Sequence, residues 1–447
     1  MNIKKILFRT VSFFFVFAIL FSLICEPCIA NASSLPSIEY ATDACLYSLN
    51  AEKLIFKHNT SDSLFPASSV KLMTGLIACE LLSDRLEEKI EITDSLIEGA
   101  SDASMGLLPG MTVTIEDLLL GLLCAGGNDA ALALSRICAP STAEFVTLMN
   151  AYCSGWEMYS TKFTNPTGLD DAEMHTTLSD MLILAKRACK NELYLSLSSK
   201  ASFTYSPYGD EREVTRQNRN MLINTSSTSG YKNPYVSGLM VGNTDLGGYS
   251  AIVYAERGSD SYICIVTGAQ KKDDIIYSYK YANDLINYAT GTLTYKKVLD
   301  SDKPVCSINV DLASPENGKD FATVACVTSD EIYALIPRNA DIDKDVKLKY
   351  YLHYETLNAP VSENMVVGGV DLIYDGKVIG SSKLVTTRSV EANSLLLLLH
   401  NARAFISGRT FILCVIFVAL ILFAYFYIVF LRTRRKAVKN IQYRNFY

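Results

Sequence analysis

An α+β domain, then a small all-β domain, then a C-terminal membrane helix: this is the architecture the sequence predicts. Three observations lead to it. Apolar helical runs crowd residues 68–189, whereas "YSAIVYAER" and "SYICIVTGA" alternate like neighbouring strands of a sheet. Residues 303–390 carry strand patterns and no convincing helix. Finally, Phe411 to Leu431 is a run of 21 residues without a charge, about 30 Å long as a helix and enough to cross a bilayer.

The elements follow in order. Residues 1–32 read as a secretory signal, with Lys4, Lys5 and Arg9 as the positive start, an apolar stretch from Val11 to Cys25, and small residues at Ala30-Asn31-Ala32 for cleavage. An uncleaved anchor is the alternative. "ATDACLYSL" and "KLIFKH", joined by "NAE", predict a hairpin. Residues 68–83 predict an apolar helix, and 114–138 two helices broken at Gly126-Gly127. Thr142–Trp156, Thr177–Cys189 and 276–289 are further helices. The α+β domain then spans 33–295 and the β-rich domain 296–395, with Asp375-Gly376 as a tight hairpin turn. A juxtamembrane segment, 396–410, leads into the span at 411–431. Residues 432–447 hold Arg432, Arg434, Arg435, Lys436, Lys439 and Arg444, and cationic flanks stay cytoplasmic.

Composition excludes several functions. The net charge is −6 and the folded part has no basic run, which argues against nucleic acid as a partner. Cysteines 45, 79, 124, 138, 153, 189, 264, 306 and 326 fall in the exported part. Their number is odd, no CxxC occurs, and most sit in apolar runs, so they read as buried hydrophobes, with one or two bridges left open. Four scattered histidines lack ligand spacing, and no phosphate-binding glycine loop is present; neither a metal nor a cofactor is expected.

The chemistry centres on "PASSVKLMT". Ser68 and Lys71 stand three apart, so on a helix they share a face. A serine hydroxyl needs a base to take its proton, and lysine serves only when neutral. Burial and nearby positive charge, including a helix N-terminus, push its pKa down from near 10.4. The alternative is that Ser68 caps an ordinary helix.

"FPASSVKLMTGLIA" resembles the first motif of the serine-type D-Ala-D-Ala carboxypeptidases, the low-molecular-weight penicillin-binding proteins. The likeness continues through "ASMGLLPGMTVTIEDLLLGLLCAGGNDAALAL", "FTNPTGLDDAEMHTTLSD" and "VSGLMVGNTDLGGYSAIVYAERG", and into "APVSENMVVGGVDLIYDGKVIGSSKLV" of the second domain. It implies a penicillin-binding-protein/β-lactamase-like fold and a cleft lined by three motifs. The first is intact. In the second, Ser-x-Asn has become Gly126-Gly127-Asn128, which keeps the Asn128 that would hold the substrate's amide and contact Lys71. In the third, Lys-Thr-Gly has become Met240-Val241-Gly242, which loses the grip on the terminal carboxylate. The oxyanion hole would use backbone N–H groups of Ser68 and Asn243. Lys271 and Lys272 are candidates to replace the missing cation.

By this resemblance Ser68, Lys71 and Asn128 are catalytic, and Gly126, Met240, Gly242 and Asn243 line the substrate. The expected partners are peptidoglycan stem peptides and β-lactams, met outside the cell membrane. Two readings follow: a serine acyl-transfer enzyme with reduced activity, and a non-catalytic peptidoglycan-binding protein or scaffold on the same fold.

Overall fold

The computed structural model describes residues 35–59, 63–67, 69–208, 212–224, 230–315 and 321–444. The expected signal segment and Ser68 therefore lie outside the described residues. The chain divides into two compact units, one running to Lys296 and including Leu335–Ala340, the other made of Lys297–Ala334 and the chain from Asp341 onward.

The first unit is built on a five-stranded antiparallel sheet. Its strands are β1 (Asp43–Ser48), β2 (Lys53–His58), β3 (Val236–Thr244), β4 (Gly248–Arg257) and β5 (Asp260–Ala269), in the order β2-β1-β5-β4-β3. Period-2 alternation divides their side chains between two cores. Cys45, Tyr47, Met240, Ile252, Ile263 and Ile265 face a large helical layer. Ala44, Leu46, Val253, Cys264 and Val266 face the opposite way, toward the late helix Tyr277–Thr292. The result is a three-layer α/β/α sandwich.

Helix α1 (Ser69–Leu82) runs through the middle of the helical layer, with eleven of its fourteen residues buried. A helix apolar on every side belongs inside a core, and "SVKLMTGLIACELL" is one. Around it pack α2 (Ile115–Leu123), α3 (Asn128–Cys138) and α4 (Leu178–Lys190). Thr114 and Asp117 close a reciprocal cap at the start of α2. The break between α2 and α3 falls at Gly126-Gly127, as expected, and the helices at Thr142–Gly155 and Leu178–Lys190 stand within a residue or two of the expected bounds. The short helix Glu192–Ser198 and strand β3 were not foreseen.

The second unit carries a six-stranded sheet of β6 (Cys306–Asp311), β7 (Ala322–Thr328), β8 (Val346–Leu352), β9 (Thr356–Asn358), β10 (Val366–Tyr374) and β11 (Lys377–Thr386). The order is β8-β10-β11-β7-β6-β9, and β6 and β9 run parallel. Asp375 and Gly376 make the two-residue turn between β10 and β11. One helical turn, Ile342–Asp345, interrupts the strands.

After the sheet come helices α5 (Ser394–Ser407) and α6 (Arg409–Arg444). Arg409–Arg434 is long and apolar enough to span a membrane, with a mean hydropathy of 3.0. Helix α5 is an addition to the expectation. Its stripe of Leu395, Leu398, Leu399, Ala402, Phe405 and Ile406 recurs at helical spacing and stands exposed on one face.

Candidate active site

The site gathers at the start of α1. Ala67 takes a positive φ of 45°, and the backbone N–H and hydroxyl of Ser69 both donate to the Pro66 carbonyl at 2.9 Å. Further along α1, Lys71 donates from Nζ to the Thr167 carbonyl at 2.6 Å. Its pKa is lowered to about 7, first by burial and second by the Arg219 guanidinium, with Asp102 acting in the opposite sense. An amine at that value is a base at neutral pH.

The loop that carries Thr167 holds the lysine in place. Asn165 Oδ1 accepts from the backbone N–H of Thr167 and Gly168 and from the Thr167 hydroxyl. Thr74 of α1 donates to the Pro166 carbonyl at 2.7 Å. Gly168 has φ +76°, and a Cβ there would lie 2.6 Å from the Ala67 carbonyl oxygen, so only glycine lets this loop close on the turn.

Asn128 opens α3 on the other side of the site. It is 2 % exposed, and its Nδ2 donates to the Ser101 carbonyl at 2.7 Å. Its Oδ1 is buried without a hydrogen-bond partner among the described residues. A buried carbonyl oxygen left unpaired costs about 1–3 kcal/mol, which a donor arriving in the cleft would recover. Asp129 next to it fixes the opposing loop. Its carboxylate accepts from Ser104 Oγ and from the backbone N–H of Met105, Gly106 and Leu107. That loop also carries Ser101 and Asp102.

The third side is β3. Met240 is 2 % exposed and packs into the helix-side core, while Val241 points into the opposite one. Position 240 thus supplies apolar wall and no cation. Gly242 pairs with Ser250 on β4, and Asn243 is exposed at the strand's end. Lys271 and Lys272, the candidate replacements, have other partners: Lys271 reaches Asp274, and Lys272 donates to the Tyr40 hydroxyl.

The charge comes from a residue that sequence reading missed. Arg219 donates from Nη2 to Asn243 Oδ1 at 2.8 Å and is the cation that depresses Lys71. Its side chain lies over Gly126, where a Cβ would meet Arg219 Cδ at 3.5 Å. Its backbone is pinned on both sides, the N–H to the Cys124 carbonyl and the carbonyl to the Tyr279 hydroxyl. Lys71, Gly126 and Asn243 are therefore linked through one guanidinium. Nothing in "VTRQNRNML" distinguishes this arginine from its neighbours.

Known proteins share the sequence and the fold of this chain. Residues 30–271 match the D-alanyl-D-alanine carboxypeptidase family, and residues 294–392 match the C-terminal domain of penicillin-binding protein 5. The D-alanyl-D-alanine carboxypeptidase DacF of Bacillus subtilis is 27% identical over 359 residues, 78% of this chain and 86% of that protein. DacD of Salmonella typhimurium is 28% identical over 389 residues, 84% and 94% of the two chains. Among solved structures, DacD from Francisella tularensis shares the fold with a TM-score of 0.64 at 20% identity, covering 83% of this chain and 98% of that one. Penicillin binding protein 5 from Haemophilus influenzae does so at 0.57 and 24%, covering 80% and 99%. By a family match over more than half its length, and by a fold shared across both units, the chain belongs to the serine D-alanyl-D-alanine carboxypeptidase family, and its function is of that kind.

Proposed function

We propose that the chain is a membrane-tethered D-Ala-D-Ala carboxypeptidase that trims peptidoglycan stem peptides through an acyl-enzyme on Ser68, with Arg219 doing the electrostatic work of the absent lysine at 240. The observation that carries the reading is Lys71, half-buried and hydrogen-bonded to the Thr167 carbonyl, with a pKa lowered to about 7, three residues from the serine. The neutral amine takes the Ser68 proton as Oγ attacks the carbonyl of the penultimate D-alanine. Backbone N–H groups of Ser68 and Asn243 receive the oxyanion. The protonated Lys71 returns its proton to the departing D-alanine nitrogen, and water then releases the shortened peptide. The unpaired Oδ1 of Asn128 suits the substrate's amide N–H. The guanidinium of Arg219, beside the end of β3, suits its terminal carboxylate.

Turnover is reduced relative to an intact site in this reading. A serine at 126 would relay a proton to the leaving amine, and a lysine at 240 would add a second positive charge. The non-catalytic alternative finds less support, because a scaffold has no use for a depressed amine or an unpaired buried amide oxygen.

Incubating the purified chain with excess penicillin and measuring its intact mass tests the proposal. One covalent adduct is expected, absent in Ser68→Ala and strongly reduced in Lys71→Ala, together with slow release of D-alanine from a pentapeptide. An unchanged wild-type mass after long incubation would return Ser68 to the role of a helix cap.

A further inference from the structure

Nine cysteines fall between residues 33 and 400, and the sheet topology sorts them. Cys45 on β1 and Cys264 on β5 occupy neighbouring strands, yet Cys45 packs in the helix-side core and Cys264 in the opposite one. The sheet itself keeps those two sulfurs apart. Cys306 and Cys326 are arranged differently. They sit directly opposite each other on the antiparallel pair β6 and β7. Directly opposed residues point to the same face with Cβ atoms about 4.5–5.5 Å apart, close to the separation that a disulfide spans. Both alternate inward with their strands: Ile308 and Val310 share the buried face of β6 with Cys306, and Ala322 and Val324 that of β7 with Cys326. Burial pushes both thiols up, and each also influences the other's ionisation, Cys326 lowering the pKa of Cys306 and Cys306 raising that of Cys326.

We infer that Cys306 and Cys326 are an oxidation site, closing a cross-strand disulfide that staples β6 to β7 in the second unit. The position gives the bond a mechanical purpose. In the strand order β8-β10-β11-β7-β6-β9, β6 and β9 join the rest of the sheet, among the described residues, through the β6–β7 ladder. A covalent link there ties the outer pair down and closes a loop of about 20 residues in the unfolded chain. The oxidant is a small or protein disulfide of the extracytoplasmic space. The thiolate of Cys306, the more exposed partner, attacks that disulfide and releases its first thiol. The Cys326 sulfur then attacks the mixed disulfide at Cys306 and expels the second. Two cysteine thiols become one disulfide, and the oxidant leaves as two thiols carrying both electrons and both protons.

The oxidising setting rests on the extracytoplasmic placement proposed for the protein, but the chemistry can be tested without it. The full chain, purified in detergent, is exposed to oxidised glutathione, denatured, alkylated and mapped by mass spectrometry. A 306–326 linked peptide is expected, with two fewer alkylated thiols than in the reduced chain. The oxidised second unit should melt about 5–10 °C above the reduced one. Cys306→Ser and Cys326→Ser should each abolish both effects, and if either variant fails to fold, the wild-type peptide map still decides. Persistent alkylation of both thiols after prolonged oxidation, or linkage of either to another cysteine, overturns the assignment. If the bond forms in vitro but is absent in protein taken from cells, the site stands and the extracytoplasmic placement falls.

Discussion

At the scale of single residues, the site works by moving a charge. Restoring a lysine at 240 would set an ammonium into a position that is 2 % exposed and walled by the helix-side core. Arg219 delivers positive charge from the surface side instead, and it lowers the pKa of Lys71. The sign of the consequence is definite. Lys71 acts as a base only when neutral, so acylation by a β-lactam should rise with pH through about 7 and then level off. Removing the cation in Arg219→Ala lets Lys71 keep its proton to higher pH, so the rising limb moves in the alkaline direction. Loss of the carboxylate contact should also slow acylation at pH 7 by about 10- to 100-fold. Arg219→Lys should keep the limb closer to its wild-type position than Arg219→Ala does. Stopped-flow acylation across roughly pH 5.5–9, a range that brackets the lysine's value, would check this, and an unmoved limb in Arg219→Ala would remove the residue from the electrostatics. Lys71 could be proposed from its three-residue spacing to Ser68 on one helix face, and Asn128 from the resemblance of the second motif. Arg219 was not, because a loop brings it into place through a backbone bond to Cys124 and a tyrosine hydroxyl far along the chain.

At the scale of elements, the site depends on loops that the core braces. The loop 165–169 holds Lys71 through the Thr167 carbonyl and leans on the turn before Ser68. Gly168→Ala should disturb both contacts at once. The left-handed backbone costs an alanine about 1–2 kcal/mol, and a methyl 2.6 Å from the Ala67 oxygen forces the turn to shift. We expect a melting point lower by several degrees and penicillin acylation slowed by about tenfold, because a 1 Å misplacement near a nucleophile has effects of that size or larger. Calorimetry paired with acylation kinetics separates the two. A loss of stability with unaltered kinetics would make the loop a structural brace alone. The helices were readable because apolar runs and the Gly126-Gly127 break mark them plainly. Strand β3 was not, since "VSGLMVGNT" carries two glycines and a register shift between Val236 and Leu239 that spoils its alternation. Helix Glu192–Ser198 is only two turns long and offers too few positions for a period to emerge.

At the scale of the whole molecule, the apolar end decides where the chemistry takes place. Helix α6 presents an uninterrupted apolar surface from Phe411 to Leu431, and its length through Arg434 is about 39 Å, more than a bilayer core. None of that stretch is buried against the protein. This end was legible in outline because a membrane span needs only length and apolarity. Helix α5 was hidden beside it, since "SLLLLLHNARAFIS" reads as a mere continuation of the apolar run until Gly408 separates the two helices. The exposed stripe of α5 leads into the span, and it would bury itself in the outer leaflet at a gain of about 25 cal/mol per Å² removed from water. The orientation we propose rests on charge. Six cations crowd the fourteen residues after Leu431, while only Arg403 and Arg409 stand just before the span, so moving the C-terminal tail outward would carry by far the larger positive charge across the bilayer. In this proposed orientation, with the tail inside, both folded units would lie outside, on the side of the proposed stem-peptide substrate. External protease added to wall-stripped cells should therefore digest the chain up to α5 and spare an epitope tag fused after Tyr447. The tag should become sensitive only when detergent opens the membrane. Degradation of the tag in intact cells, with the folded units surviving, would reverse the orientation and remove the substrate from reach of Ser68.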